Sequence, residues 1–432
     1  MRILYAIKNF LRPSLDDQIE PEVRKHFKRN FITNTLDSAV WLVGDSFVSV
    51  TAILPVFAST MTDSAVVIGL VTALVNAGWF IPQFFLAEYV RNLKRKLPFT
   101  KSLALVERIP YLILPLTALL LHWISGDIAI WIFMFVIAWR GFASGMVALP
   151  WQEVIATVIP SPVRSRFFGV SRMLGMIGAV LGSIISGIIL SKLTYPDNYA
   201  LSFLIGAGFV WVSYIFFSRT IEPVNTSSTV EVDSDKPLID LAGYRQILKS
   251  DKNFNKYIIS RIFFQIGSMA TGFLAVYGIH HFSLSDEYAA IFSGLLFASS
   301  ILGNIFWSIL GDRVGPRKIL LISSILQVFV LVLSLLSINV WIYYLVFLFY
   351  GFAQSGFIIG EMILGMELGT EKDRPLYIGL ARSIPGVFIL IAPIIGGIIV
   401  QWAGYQNMFL VALIFYFIAI LFVFQVHERH KS

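Results

Sequence analysis

The chain has 432 residues, of which 57% are apolar and 14% charged, with a formal charge of +7 and no cysteine. A soluble globular domain carries far more charge and does not sustain apolar runs of this number and length, so that class is excluded. The missing cysteine removes disulfides, thiolate metal ligands and cysteine nucleophiles, and the sequence has neither a Walker-type phosphate loop nor a His-Glu-x-x-His zinc motif.

Residues 1–34 precede the first long apolar run and read as a cytoplasmic segment. Within them Leu4, Ile7 and Leu11 share one helical face, with Arg2, Lys8 and Arg12 elsewhere around it, the pattern of an interfacial helix. The apolar stretch is too short and too interrupted by charge for a cleaved signal peptide. Twelve runs follow, at 35–58, 64–87, 102–122, 128–150, 167–191, 199–218, 257–281, 287–310, 319–338, 340–366, 378–400 and 405–426. Crossing a hydrocarbon core of ~30 Å takes ~20 residues, so each run predicts one transmembrane helix.

Two ionisable residues fall in the middle of runs, Asp45 in the first and Arg140 in the fourth. Facing lipid, each would cost ~2.5–3.5 kcal/mol on the insertion scale, so they are expected to face a cavity or each other. A paired Asp45 and Arg140 that can be separated gives a route to proton coupling; a static pair would only specify packing. Trp41, Asn76, Trp79, Gln83 and Ser144 in the first four runs are candidates for lining the same cavity, as are Gln265 and Asn304 in runs 7 and 8. The alternative for each is a helix–helix hydrogen bond or an interfacial anchor.

The connection after run 2 carries Glu88, Arg91, Lys94, Arg95 and Lys96; Glu107 and Arg108 open run 3, either as interfacial anchors or as members of a charged network. Glu153, Arg164 and Arg166 surround the end of run 4, and Arg172 follows early in run 5. The polar stretch 219–256 divides the runs six and six, predicting bundles at 35–218 and 257–426, a flexible cytoplasmic linker between them and a tail at 427–432. A short surface helix is expected near Ile239 to Leu248. His280 and His281 are adjacent and have no third ligand, so no metal site is expected.

Between runs 8 and 9 stands the octet Gly311-Asp312-Arg313-Val314-Gly315-Pro316-Arg317-Lys318. Its glycines and proline predict a turn, and its four charges must stay at the water interface. In run 10, Tyr350, Gln354, Phe357 and Glu361 are spaced i, i+4, i+7 and i+11, on one helical face. A constant shift of 210 residues lays Gly141-Phe142-Ala143 on Gly351-Phe352-Ala353, Arg164 on Arg374, Arg172 on Arg382 and Gly187-Ile188-Ile189 on Gly397-Ile398-Ile399. The two halves are therefore expected to be pseudo-symmetric. Even-numbered connections carry eleven basic residues and the opposite side only Lys192, a bias that puts both termini in the cytoplasm.

The octet resembles the loop signature of the major facilitator superfamily (MFS), and Glu88 to Lys96 resembles a degraded first-half copy of it. The Glu153…Arg164/Arg166 spacing is similar to an acid–arginine pair of the same family. The resemblance implies the MFS fold: an all-α membrane protein of twelve transmembrane helices in two six-helix bundles. Spans 1, 4, 7 and 10 would line a central cavity. Asp312 would dock at the start of span 5, in a cytoplasmic gate that also draws on Glu88, Arg91, Arg95, Glu153, Arg164, Arg166 and Arg172. Gly311, Arg313, Gly315, Arg317 and Arg382 would complete it, with Lys94 and Lys96 as plain surface charges. The implied function is secondary active transport of a small solute across a cytoplasmic (inner) membrane by alternating access, driven by a proton gradient and needing no cofactor. The alternatives are an uncoupled facilitator and a non-transporting sensor or scaffold. A monomer in the lipid bilayer is expected, with no enzymatic activity and no nucleic-acid partner, since the basic balance follows topology.

Overall fold

The computed structural model describes residues 21–223, 241–369 and 374–428, and all regular structure among them is helical. The expected interfacial helix near the N-terminus and the middle of the linker lie outside the described residues. The N-terminal half contains α1 (Pro21–Ser46), α2 (Ile53–Ser59), α3 (Ala65–Arg91), α4 (Leu97–Leu119), α5 (Gly126–Val158), α6 (Ser161–Lys192) and α7 (Asp197–Ser218). After the linker come α8 (Leu241–Ser250), α9 (Lys252–Gly267), α10 (Leu274–His281), α11 (Glu287–Val314), α12 (Pro316–Leu336), α13 (Val340–Glu367) and α14 (Arg374–Phe424). By length and composition, ten helical stretches among the described residues can cross a membrane. One of them, within α14, is two helices meeting at Gly404, whose φ of 83° interrupts the helical backbone.

Three expectations change. Helix α1 is already helical at Pro21, well before residue 35, and its polar first turns are held by the chain just past α7. Asn30 Nδ2 donates to the Ile221 carbonyl at 2.8 Å while Ile221 N–H donates to Asn30 Oδ1 at 2.9 Å. The first run is also not one helix, since the chain leaves helical geometry between Ser46 and Ile53. The run at 257–281 is broken similarly, by a 3-10 segment Ser268–Phe273 between α9 and α10. Finally, the octet is mostly helix. Helix α11 continues through Arg313 and Val314, and the reversal is made at Gly315, whose φ of 83° suits glycine, with Pro316 opening α12.

Within the first half α1 packs on α6 and α7, α3 on α5, and α4 on α5 and α7; the second half repeats this with α9 on α14, α11 on α13, and α12 on α13 and α14. The halves meet where α3 lies on α14 and α6 on α11, with α2 touching α10. Toward the end away from the basic loops the seam between α3 and α14 is tight. A Cβ on Gly397 would stand 2.6 Å from the Ala65 carbonyl oxygen, so backbones touch there. Nearby, Asp286 is packed beside Tyr199 of the other half, and burial raises its carboxyl above the usual carboxylate range.

At the basic end each half ties its last helix to its third crossing. Glu222, just past α7, accepts from the N–H groups of Lys96 and Leu97 at 2.9 and 3.0 Å, at the start of α4. Glu428, just past α14, accepts from Arg317 N–H at 2.8 Å, at the start of α12. A carboxylate there satisfies orphan donors and meets the positive end of the helix dipole. Glu222→Ala and Glu428→Ala should each lower stability by about 1–2 kcal/mol, read as a fall in the melting temperature of the purified protein.

Candidate functional site

The first half carries a partly open cavity of about 300 Å3. Its walls come from α1, α3, α4, α5 and α6, with Phe217 of α7, and carry Trp41, Trp79 and Trp151 together with Asp37, Glu107 and Arg108. The charges form one cluster. Arg108 Nη1 donates to Glu107 Oε2 at 2.6 Å and to the Ala104 carbonyl at 3.0 Å, while Nη2 donates to Ser213 Oγ at 3.2 Å. Ser144 Oγ donates to Glu107 Oε1 at 3.0 Å. Asp37 Oδ1 lies 3.6 Å from Arg108 Nη2, beyond hydrogen-bond range, and has no hydrogen-bond partner. All three charged side chains are more than nine-tenths buried.

A second pair lies two turns further along α1. Asp45 Oδ1 is ion-paired to Arg140 Nη2 of α5 and accepts a hydrogen bond from Tyr111 Oη of α4 at 3.1 Å. The Arg140 guanidinium sits over the Tyr111 ring, 5.1 Å from its centroid. The second half has its own pair, Arg261 of α9 with Glu361 of α13. Arg261 covers the Phe357 ring at 4.7 Å, Phe357 stacks on Phe264 at 3.5 Å, and Tyr257 Oη donates to the Glu361 carbonyl at 2.9 Å. Each buried charge thus has an opposite charge beside it, the condition for keeping ions in a low-dielectric interior.

Residues 257–432 match the Major Facilitator Superfamily. An uncharacterized MFS-type transporter of Methanocaldococcus jannaschii is 26% identical over 261 residues, 59% of this chain and 62% of that protein, so less than two thirds of this relative is spanned. The crystal structure of a D-xylose–proton symporter superposes with a TM-score of 0.71 at 13% identity, covering 94% of this chain and 99% of that one. A nucleoside transporter gives 0.67 at 17% identity, covering 92% and 98%. The family match covers the second half of the chain, and the fold of the whole chain is that of these solved transporters. The chain is a multi-pass membrane protein of that fold.

The structure brings Asp45 and Arg140 together, and it places Trp41, Trp79 and Ser144 on the cavity wall. Asn76 is exposed on the same helix as Trp79, and Gln83 Nε2 donates to the Trp79 carbonyl at 2.5 Å within α3. Gln265 donates to Ser268 Oγ at 2.9 Å. Asn304 serves packing: it donates to the Ser300 carbonyl at 2.8 Å and touches Met176 Sδ of the other half at 3.7 Å. Tyr350 is buried, and Gln354 accepts from Gln327 Nε2 at 3.1 Å.

The expected gate is largely rearranged. The side chains of Glu88, Arg91 and Asp312 lie outside the described residues. Glu153 pairs with Lys96 at 2.5 Å, so Lys96 is not a plain surface charge. Arg164 instead donates to the Ala156 carbonyl at 2.9 Å, holding the end of α5, and Arg95 lies 3.9 Å from Glu222. Arg317 donates to the Phe424 carbonyl at 2.5 Å and so caps the end of α14 within its own half. Arg172 lines the cavity and has no ion pair among the described residues, whereas Arg166 has a partner. Arg313 and Arg382 are exposed, and Gly311 and Gly315 shape the turn.

Two charged residues outside the sequence reading, Asp37 and Arg261, belong to these clusters, and Glu107 and Arg108 take the charged-network alternative rather than the interfacial one. Asp37 stands one turn before Trp41 and two before Asp45, a spacing that puts all three on one face. The interfacial alternative for Glu107 and Arg108 arose because run 3 was expected to begin at residue 102. Helix α4 begins at Leu97, so both are carried more than a turn deeper. Arg261 was missed for the same reason, α9 beginning at Lys252, although Tyr257, Arg261 and Gln265 already show the spacing of one face. Arg108→Ala leaves two buried carboxylates uncompensated and should destabilise the fold by about 3–5 kcal/mol; the check is the yield of monodisperse protein and its melting temperature.

Proposed function

We propose that this protein is a secondary active transporter that carries a small solute through the space between its halves by alternating access. The observation that carries the reading is the ion pair of Asp45 and Arg140, held between three helices of the first half with Tyr111 donating to the same carboxylate. A carboxylate beside a guanidinium keeps its charge, and one stranded from it in low dielectric takes up a proton. A rearrangement that moves α1 relative to α5 therefore exchanges a proton, coupling transport to a proton gradient.

The rest of the reading follows the same geometry. The broken first crossing, the two segments of α14 and the remaining long helices make twelve passages, with bundles at 35–218 and 257–426 joined by the linker. The positive-inside bias puts the basic end, and both termini, in the cytoplasm of a cell whose inner membrane holds the protein as a monomer. The tight seam at the opposite end supports a conformation closed to the outside. Flexing at the breaks in the first and seventh crossings supplies the motion.

The test is proton movement in proteoliposomes when candidate solutes are added on one side. The expected result is solute-dependent proton flux that disappears in Asp45→Asn and Arg140→Ala while protein remains in the membrane. Solute flux indifferent to the proton gradient would make the protein an uncoupled facilitator. Absence of flux for every solute that binds would make it a non-transporting receptor.

A further inference from the structure

We infer that the first-half cavity is a recognition site for a small aromatic or alicyclic amine carrying a positive charge, held at Asp37. The inference rests on the transport reading for its purpose but on the cavity alone for its chemistry. Two carboxylates, Asp37 and Glu107, share one guanidinium. Arg108 is already committed, with Nη1 on Glu107 and Ala104 and Nη2 on Ser213. Glu107 is likewise engaged through both oxygens, by Arg108 and by Ser144. Asp37 is the member left over, with a side chain 7% exposed and Oδ1 accepting no hydrogen bond. A buried acceptor oxygen without a donor is costly, and Asp37 has no cation within hydrogen-bond distance of that oxygen. A protonated amine supplies both the donor and the charge.

The walls fit the same ligand. Trp41, Trp79 and Trp151 face this volume, and Trp151 meets Phe168 edge-on at 6.3 Å. Indole faces attract cations, and their area suits an apolar ligand body. A cavity of about 300 Å3 has room for a compact ligand. Arg172 lines the same cavity and is the group an anion would use. The two ligand classes therefore predict opposite outcomes.

The experiment is isothermal titration of the whole purified protein in lipid nanodiscs with three probes of similar shape. These are benzyldimethylamine, protonated at neutral pH, its uncharged counterpart isobutylbenzene, and the anion phenylacetate. The expected result is saturable binding of the amine alone. Asp37→Asn should weaken it roughly tenfold or more, and Trp79→Ala roughly threefold. Phenylacetate or isobutylbenzene binding as tightly as the amine overturns the inference, as does an unchanged affinity in folded Asp37→Asn or no saturable amine binding. The probe series on the unaltered protein stands even if a variant fails to fold. Because binding is read without flux, a cation that binds but is not carried would sink the transport reading and leave the recognition site standing.

Discussion

The constraint on which this structure depends is that no charge may stand alone in a hydrocarbon-thick interior. The first half buries Asp37, Glu107 and Arg108 in one cluster and joins Asp45 to Arg140 in another, while the second half buries Arg261 against Glu361. An ion pair of this kind adds little net stability compared with an apolar pair of the same volume, yet breaking one is expensive. Such groups are better explained by use than by stability. Asp37 with Arg108, Asp45 with Arg140 and Arg261 with Glu361 each join different helices, so a shift between helices changes both the pairing and the energy.

The same economy governs the helix ends. Glu222 and Glu428 follow the last helix of their halves and occupy the start of the third crossing in each, where free N–H groups need acceptors. Arg317 closes the ring from the other direction by donating to carbonyls at the end of α14. The octet is therefore an internal fastener of the second half in its Arg317 part. Near the opposite end the halves approach through glycine, as at Gly397 against Ala65, a surface that can separate without breaking charge pairs. Rigid halves and a dissociable seam are what rocking about a central cavity requires.

Much of this was legible in the residues. Apolar runs located the crossings because a membrane imposes a length, and mid-run charges pointed to Asp45 and Arg140 because lipid penalises them. What the runs hid was the depth of charges near their edges. Hydropathy places a helix end where polarity rises, but α4 and α9 extend several residues beyond that point and draw Arg108 and Arg261 inside. Gate partners were illegible for a different reason. Glu153 chose Lys96 over the arginines nearer in sequence, and Arg164 turned to backbone carbonyls, because contacts between distant segments follow packing rather than spacing. The single-residue turn at Gly315 was likewise invisible in an octet with so many turn-forming residues.

The central claim is that the two ends open in alternation. The chain has no cysteine, so paired spin labels can be introduced without background. Lys94→Cys with Arg313→Cys reports the basic end, and Leu193→Cys with Ile338→Cys the opposite end, all four positions being exposed. Electron–electron distance measurements in nanodiscs at acid and alkaline pH should show one distance shortening as the other lengthens. Two distances that stay fixed, or that lengthen together, would contradict alternating access in this protein.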